Sequence, residues 1–450
     1  MTTRTIVSLF FLVAVFSTSY SHLSAETPAK ISLEEIKEIQ SQVDEMQREQ
    51  FEKLWFPRVL DTQRGGFHQT WNRRWEAESD NDTAIVVQAR YTWSAAAMAE
   101  YAPELADKYK QYTAHGIRFL DEIMRDKEHG GFHWRLDSQG KLSDKLGDEK
   151  HAYGIAFAIY AACKAYEVTH DPRALAVARD GFDWIEKHGY DSKYGGYYEA
   201  FTRDGTPITT WDPNLPLWKR QDRLGVYYGF KTMNTHIHLL EAFAELAKID
   251  QRPLVARRHE EIHKIVRDKI AVAPGCLNLY FTRDWRATAA HDSFGHDIET
   301  AYLLTESAEQ LDSAQKELTW NVAKQLVDHA LDWGWDEKNG GFFDKGDAIA
   351  SAAYDTDKVW WIQAEGLNAL AYMHDKYGHQ TDRYWIALKK QWSFIRNYSV
   401  DAEYGDWYWE VTADGKQLGD GQKANAWKAC YHTGRSLMNV SRILKKLAAK

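Results

Sequence analysis

Apolar residues recur every three or four positions through most of the chain. Phe157, Ala161 and Tyr166 show it, as do Leu239, Phe243 and Leu246, and Leu437, Val440 and Leu444. That period predicts helices that bury one face. A glycine–aromatic turn punctuates them at Gly65-Gly66-Phe67, Gly130-Gly131-Phe132, Gly195-Gly196-Tyr197 and Gly340-Gly341-Phe342, with a variant at Gly405-Asp406-Trp407. Successive turns lie 65 residues apart, except for one gap of 145 residues between Gly195 and Gly340. Within that gap Leu277-Asn278-Leu279-Tyr280-Phe281 supplies the aromatic part without the glycines. The chain therefore reads as six helix pairs. Glycine provides the positive φ of a tight turn, so short β-hairpins are expected to join the helices. Repeated pairs must bury a face on their neighbours, in an open solenoid or a closed ring. Six pairs predict an all-α fold, an (α/α)6 barrel, over residues 26–450 as a single domain, with the inner helices aiming their starts at a central cavity.

One unit departs from the repeat. Residues 201–230 carry extra chain with Pro207, Pro213 and Pro216, and with Trp211, Trp218, Lys219 and Arg220. A long aromatic and basic loop in a compact barrel is usually functional, for example as a lid, the alternative being a tolerated surface insertion.

Polar residues interrupt the predicted inner helices in phase with the turns. Arg90, Tyr153, His238, His296, Trp361 and His432 fall near the six expected helix starts, and Trp427 opens the last one. Asn234, His238 and Glu241 share one face at i, i+4 and i+7, and His296–Glu299, Trp361–Glu365 and His432–Arg435 follow the same logic. A buried carboxylate needs a partner. His238 is expected to pair with Glu241, and His296 with Glu299, because a carboxylate beside a histidine fixes its tautomer and raises its basicity.

Composition narrows the chemistry. The chain has 450 residues, 44% hydrophobic and 14% aromatic, with 19 Trp. Aromatic faces are a common way to hold sugar rings, beside their role in a core. The net charge is −9 with no basic stripe, which argues against nucleic-acid binding. No GxGxxG or Walker loop supports a bound nucleotide, and no nucleophile elbow supports Ser-His-Asp hydrolysis. His236 and His238 are two apart and point to different sides of a helix, so no metal site and no cofactor are expected. Cys163, Cys276 and Cys430 are too few and too scattered for a disulfide framework. Arg4, the apolar run 6–16 and Leu23-Ser24-Ala25 read as a secretory leader over residues 1–25, too short to anchor in a bilayer. A periplasmic or secreted protein is expected, with no membrane segment in its mature form, as a monomer or weak dimer.

The motifs resemble the N-acylglucosamine 2-epimerase superfamily, and within it the cellobiose 2-epimerase branch. The resemblance runs from about Leu33 to Leu447. It rests on Gln88-Ala89-Arg90, Tyr153 with Ala156-Phe157-Ala158, Met233-Asn234-Thr235-His236-Ile237-His238, Phe294-Gly295-His296-Asp297-Ile298-Glu299, Trp360-Trp361-Ile362-Gln363-Ala364-Glu365, Trp427-Lys428, and Tyr431-His432 with Gly434-Arg435. The resemblance implies an (α/α)6 barrel that interconverts sugars epimeric at C2 without metal or nucleotide. It implies that His296 and His432 are the acid/base pair, that His238 assists ring opening and that Arg90 holds the enediol oxygens. Glu241 and Glu299 would orient the histidines and bind hydroxyls, with Tyr153, Asn234 and Glu365 completing the sugar site. Trp361, Trp427 and Tyr302 would stack on sugar rings. Tyr302 stands where that branch tends to have Trp.

Such chemistry suits these residue types. Removing the C2 proton of an open-chain sugar needs a base that can also donate near neutrality, which an imidazole does. The enediolate needs a fixed cation, which an arginine supplies. Aldose–ketose isomerisation and N-acylglucosamine 2-epimerisation would use the same residues. An (α/α)6-barrel glycoside hydrolase, with Glu299 and Glu365 as its carboxylates, and a non-catalytic sugar-binding protein are the readings from other classes.

Overall fold

A computed structural model describes residues 31–78, 82–347, 349–350 and 352–449; the expected leader lies outside the described residues. Twelve α-helices succeed one another along these: α1 (Leu33–Arg48), α2 (Ile85–Tyr101), α3 (Ala106–Phe119), α4 (Ala152–Thr169), α5 (Pro172–Gly189), α6 (Met233–Ile249), α7 (Pro253–Ile265), α8 (Phe294–Ala308), α9 (Ser313–Trp333), α10 (Trp360–Tyr377), α11 (Arg383–Phe394) and α12 (Tyr431–Ala448). The even-numbered helices form an inner ring, each packed on the next, with α12 returning to α2. Each is covered by the outer helix that follows it, and α12 is covered by α1 from the other end of the chain. This is the expected (α/α)6 barrel. None of the described helices is long and apolar enough to cross a membrane.

The two rings differ as their surroundings demand. Residues 152–163 of α4 are all buried, so this inner helix is apolar on every side. Small residues such as Ala156, Ala158, Ala161 and Ala162 let neighbours approach closely. The outer α5 instead buries one stripe, with Ala174, Val177, Ala178, Gly181, Phe182 and Ile185, and leaves the other face wet.

The glycine turns do not join the helices of a hairpin, as the sequence suggested. They sit just after the outer helices, at the start of long connections to the next inner helix. Single antiparallel bridges close them, as between Leu60 and Phe67 or Tyr190 and Tyr197. At Gly66, with φ +67°, a Cβ would come 2.5 Å from Gln88 Oε1 and 2.7 Å from the Phe119 ring, so nothing larger fits. The fourth unit does contain a turn glycine, Gly275 (φ +145°), between the paired Ala271–Val272 and Cys276–Leu277.

Beyond each turn the chain runs as a short strand along one rim of the barrel. The segment entering each inner helix pairs with the strand after the next unit's turn: Asp82–Ala84 with Arg135–Asp137, Lys150–His151 with Ala200–Phe201, Lys231–Thr232 with Tyr280–Phe281, Asp292–Ser293 with Lys345–Asp347, and Lys358–Val359 with Glu410–Val411. A single bridge from Trp71 to Ala424 closes the circle. All six inner helices therefore start at this rim.

Two buried devices fix the turns. The fourth residue of an inner helix grips the backbone of the turn aromatic. Gln88 accepts from Phe67 N–H at 2.8 Å and donates to its carbonyl at 2.7 Å, and Gln363 does the same for Phe342. His236 takes this place in the third unit, accepting from Tyr197 N–H at 3.1 Å. The second device is an aspartate four residues before the glycine, joined to a buried lysine of the strand entering the inner helix: Lys150–Asp126, Lys231–Asp191, Lys358–Asp336 and Lys423–Asp401, at 2.8 to 3.1 Å. Each lysine also donates to a turn carbonyl, such as Gly340 at 2.6 Å, so the buried charges are paired and hydrogen-bonded.

Buried neutral histidines make the fold acid-sensitive. Burial lowers His236 and His263 to about 3 and His259 to about 4. Unfolding restores the ordinary imidazole value of about 6.5. The unfolded chain therefore takes up more protons below that pH, and stability present above it is lost progressively as pH falls. Because buried carboxyls such as Glu199, held up at about 7, act in the opposite sense, the contribution of a single histidine is the quantity to read. His263→Gln is expected to show a shallower fall, or a steeper rise, in melting temperature from pH 7 to pH 5 than the unaltered protein. Calorimetry of both proteins across that range checks this; parallel profiles contradict it.

Candidate active site

The six helix starts surround a cavity of about 350 Å³. Its wall includes nine predicted residues: Arg90, Tyr153, Asn234, His238, His296, Glu299, Trp361, Trp427 and His432. They form two levels. Tyr153, Asn234, His296, Trp361 and His432 lie in the first turn of their helices, and Arg90, His238 and Glu299 one turn deeper. Six helix dipoles with their positive ends at one rim favour negative charge there and disfavour imidazolium.

Each histidine has its Nδ1 occupied. His432 donates to Glu365 Oε1 at 2.7 Å, and its Nδ1 lies 3.8 Å from Glu299 Oε1. His238 donates to Glu241 Oε2 at 3.1 Å. His296 meets Ser293 Oγ at 2.7 Å, not Glu299 as expected from their spacing. In all three rings Nε2 remains. Trp361 stands between the outer two, 4.8 Å from His296 and 5.8 Å from His432 between ring centroids. Burial first, then neighbouring histidines, lowers His296 to about 3. Burial, with Arg90 and Arg435 behind it, holds His432 well below its ordinary value. Both rings are therefore neutral near pH 7.

Below the histidines lies a charge cluster. Arg435, 1% exposed, donates Nη2–H to Glu365 at 2.7 Å and to Glu299 at 3.0 Å, and Nη1–H to Glu241 and Tyr431. One guanidinium cannot neutralise three buried carboxylates. Burial alone would raise Glu241, but Arg435 and His238 overcome it and hold Glu241 at about 2. Burial and the nearby Glu365 carboxylate push Glu299 up to about 7. Arg90 donates to the Trp427 carbonyl at 2.6 Å and Nη2–H to Tyr153 OH at 3.3 Å. Its buried Nε has no protein acceptor.

Several expected sugar contacts lie elsewhere. Glu241, Glu365 and Tyr302 do not line the cavity. The two carboxylates hold His238, His432 and Arg435 from behind, and Tyr302 lies deeper, its ring 5.1 Å from the Arg435 guanidinium. Trp427 precedes α12 by four residues, in a loop where Asn425 Oδ1 accepts from Trp427 N–H at 2.8 Å. The insertion reaches the wall through Arg223 and Leu224, while Trp218 is 71% exposed. Trp360 and Trp409, 4.1 Å apart, complete the wall.

Three buried sets of histidine and carboxylate come within 4.8 Å among the described residues. Glu299, Glu365 and His432 already have Arg435 as their cation. His151 donates Nε2–H to Asp222 at 3.1 Å and so ties the insertion to α4. Asp292, Asp297 and His329 form a structural chain. His329 Nε2 meets Asp292 Oδ2 at 2.6 Å, and burial together with Asp292 raises the carboxyl of Asp297, the fourth residue of α8, well above its ordinary value.

A closed helical barrel with imidazoles, an arginine and tryptophans around one cavity suits a carbohydrate isomerase, and the comparisons with known proteins place the chain in that class. The chain belongs to the N-acylglucosamine 2-epimerase family, whose family model, described as N-acylglucosamine 2-epimerase (GlcNAc 2-epimerase), matches residues 65–435. It is 30% identical to a cellobiose 2-epimerase from Bacteroides fragilis, over 88% of this chain and 97% of that protein. It is 26% identical to a D-mannose isomerase from Marinomonas mediterranea, over 87% and 94%. A solved cellobiose 2-epimerase from Spirochaeta thermophila superposes with a TM-score of 0.77 at 30% identity, covering 92% of this chain and 98% of that one.

Proposed function

We propose that this enzyme interconverts C2 epimers at the reducing-end glucose or mannose of a saccharide, with a β-1,4-linked disaccharide such as cellobiose as substrate. The observation that carries this reading is the pair His296 and His432 on one cavity wall, each neutral and each with Nδ1 engaged and Nε2 left over. In the open-chain sugar the C1 carbonyl acidifies the C2 proton. One Nε2 takes it, an enediolate forms, and the other histidine returns a proton to the opposite face. Arg90, with its Nε unpaired, and the helix dipoles stabilise the enediolate oxygens. Glu365 fixes the His432 tautomer that has its lone pair on Nε2. Ser293 can donate or accept, so His296 can carry its proton on either nitrogen and serve both directions. His238, oriented by Glu241, is placed to assist ring opening. Export, inferred from the leader-like residues 1–25, belongs to the same reading.

Aldose–ketose isomerisation is the second reading, favoured by the relation to a D-mannose isomerase; there the proton returns to C1. The hydrolase reading loses support from geometry. Glu299 and Glu365 both bond to the same Arg435 Nη2, and Glu365 does not line the cavity, so they do not flank a bond from opposite sides. Carbon NMR of cellobiose incubated with the enzyme is expected to show glucosyl-mannose. Free glucose as the main product would overturn the epimerase reading in favour of hydrolysis, and a ketose in favour of isomerisation.

A further inference from the structure

Eleven large apolar side chains are exposed among the described residues, and four of them, Trp211, Leu215, Leu217 and Trp218, fall within residues 211–218 of the insertion. Such a concentration marks a binding surface more often than chance packing. The surface is continuous with the cavity. Residues 220–228 form a hairpin closed by a Gln221–Tyr227 bridge, and its tip places Arg223 and Leu224 in the cavity wall. The hairpin is preorganised. Asp222 accepts from Leu224 N–H at 2.8 Å and Val226 N–H at 3.0 Å while His151 holds its other oxygen, and Tyr228 donates to Glu149 at 2.6 Å. Trp211 packs on Tyr227 with ring centroids 5.4 Å apart. Arg220 lies 5.6 Å over the Trp211 ring and donates to the Leu215 carbonyl at 2.5 Å and to that of Pro213. Tyr227 lies at the base of this hairpin, opposite Gln221, and Leu224 lies at its tip. Trp211 and Tyr227 are not in the cavity wall themselves and adjoin it through the hairpin tip.

We propose that Trp211 and Tyr227 form a platform for the distal units of a β-1,4-linked oligosaccharide longer than a disaccharide, whose reducing end occupies the cavity. The apolar faces of such pyranose rings match flat aromatic side chains, and a rigid platform binds them with little ordering cost. The proposal rests on the reading that the cavity takes a reducing-end sugar. Calorimetric binding of cellobiose and cellotetraose tests it without relying on turnover. Cellotetraose is expected to bind about tenfold tighter than cellobiose, about 1.4 kcal/mol, and Trp211→Ala or Tyr227→Ala should shrink the gap to about twofold. Equal affinities in the unaltered enzyme, or a gap that survives both substitutions, would overturn it and leave the patch to a protein partner. If cellobiose is epimerised but no gap exists, the epimerase reading stands and the platform falls.

Discussion

His432→Asn is expected to lose roughly 10³-fold in kcat while the barrel stays folded and cellobiose affinity stays within about threefold. Asparagine keeps a donor near the position of Nδ1, so the contact to Glu365 and the cluster below it persist. It removes Nε2, the atom that moves the proton in the proposed mechanism. The loss should fall on kcat, because the interaction exists in the transition state and hardly in the ground state. Steady-state kinetics together with calorimetric binding check this. A variant within tenfold of the unaltered kcat would place the base elsewhere. His296→Asn should behave alike, since the reaction needs a group on each face.

Arg435→Met is expected to be the most destabilising single change in the site, by about 3–5 kcal/mol, because it leaves three buried carboxylates with no cation. Glu299 already lies at about 7 with the guanidinium in place, and without it the cluster must hold more protons. Carboxyls raised above their unfolded values contribute stability at low pH that is lost as pH rises through the folded values. The deficit in melting temperature should therefore be larger at pH 8 than at pH 6. Glu299→Gln on the same background should recover part of it. Thermal melts at the two pH values measure both, and a deficit that is the same at each would contradict the account of the cluster.

Much of the site was legible in the sequence because helical phase is local. A six-fold recurrence of polar residues after a turn can be counted, and nine of the twelve candidates line the cavity. The His238–Glu241 pair follows from one helix alone. Phase does not give depth or the partner across the ring. His296 and Glu299 share a face, yet Ser293 is closer to the ring and Arg435 draws the carboxylate inward. Tyr302 is in phase too, but two turns below His296 it has passed the cavity floor. His236, two residues before His238, is shown by its repeat position to be a turn clamp like Gln88 and Gln363. The Asp–Lys pairs were partly readable, since an aspartate stands four residues before each of Gly65, Gly130, Gly195, Gly340 and Gly405. Their lysines come from the far end of each connection, which no local pattern shows.

The glycine turns were read as helix hairpins because they are the strongest breaks in the chain. The junctions from inner to outer helix are less marked, as at His170 and Asp171 between α4 and α5, where a left-handed His170 (φ 54°) ends one helix and Asp171 caps the next. The long connections shape the cavity: they carry the rim strands, Trp409, Trp427 and the Arg223 hairpin to its wall.

The central claim is that His296 and His432 exchange the proton on C2. Turnover of cellobiose in heavy water tests it most directly. The product should carry one deuterium at C2 of the reducing-end unit and none at C1, and His432→Asn should slow its appearance in step with kcat. A product formed with no deuterium at C2 would contradict the account.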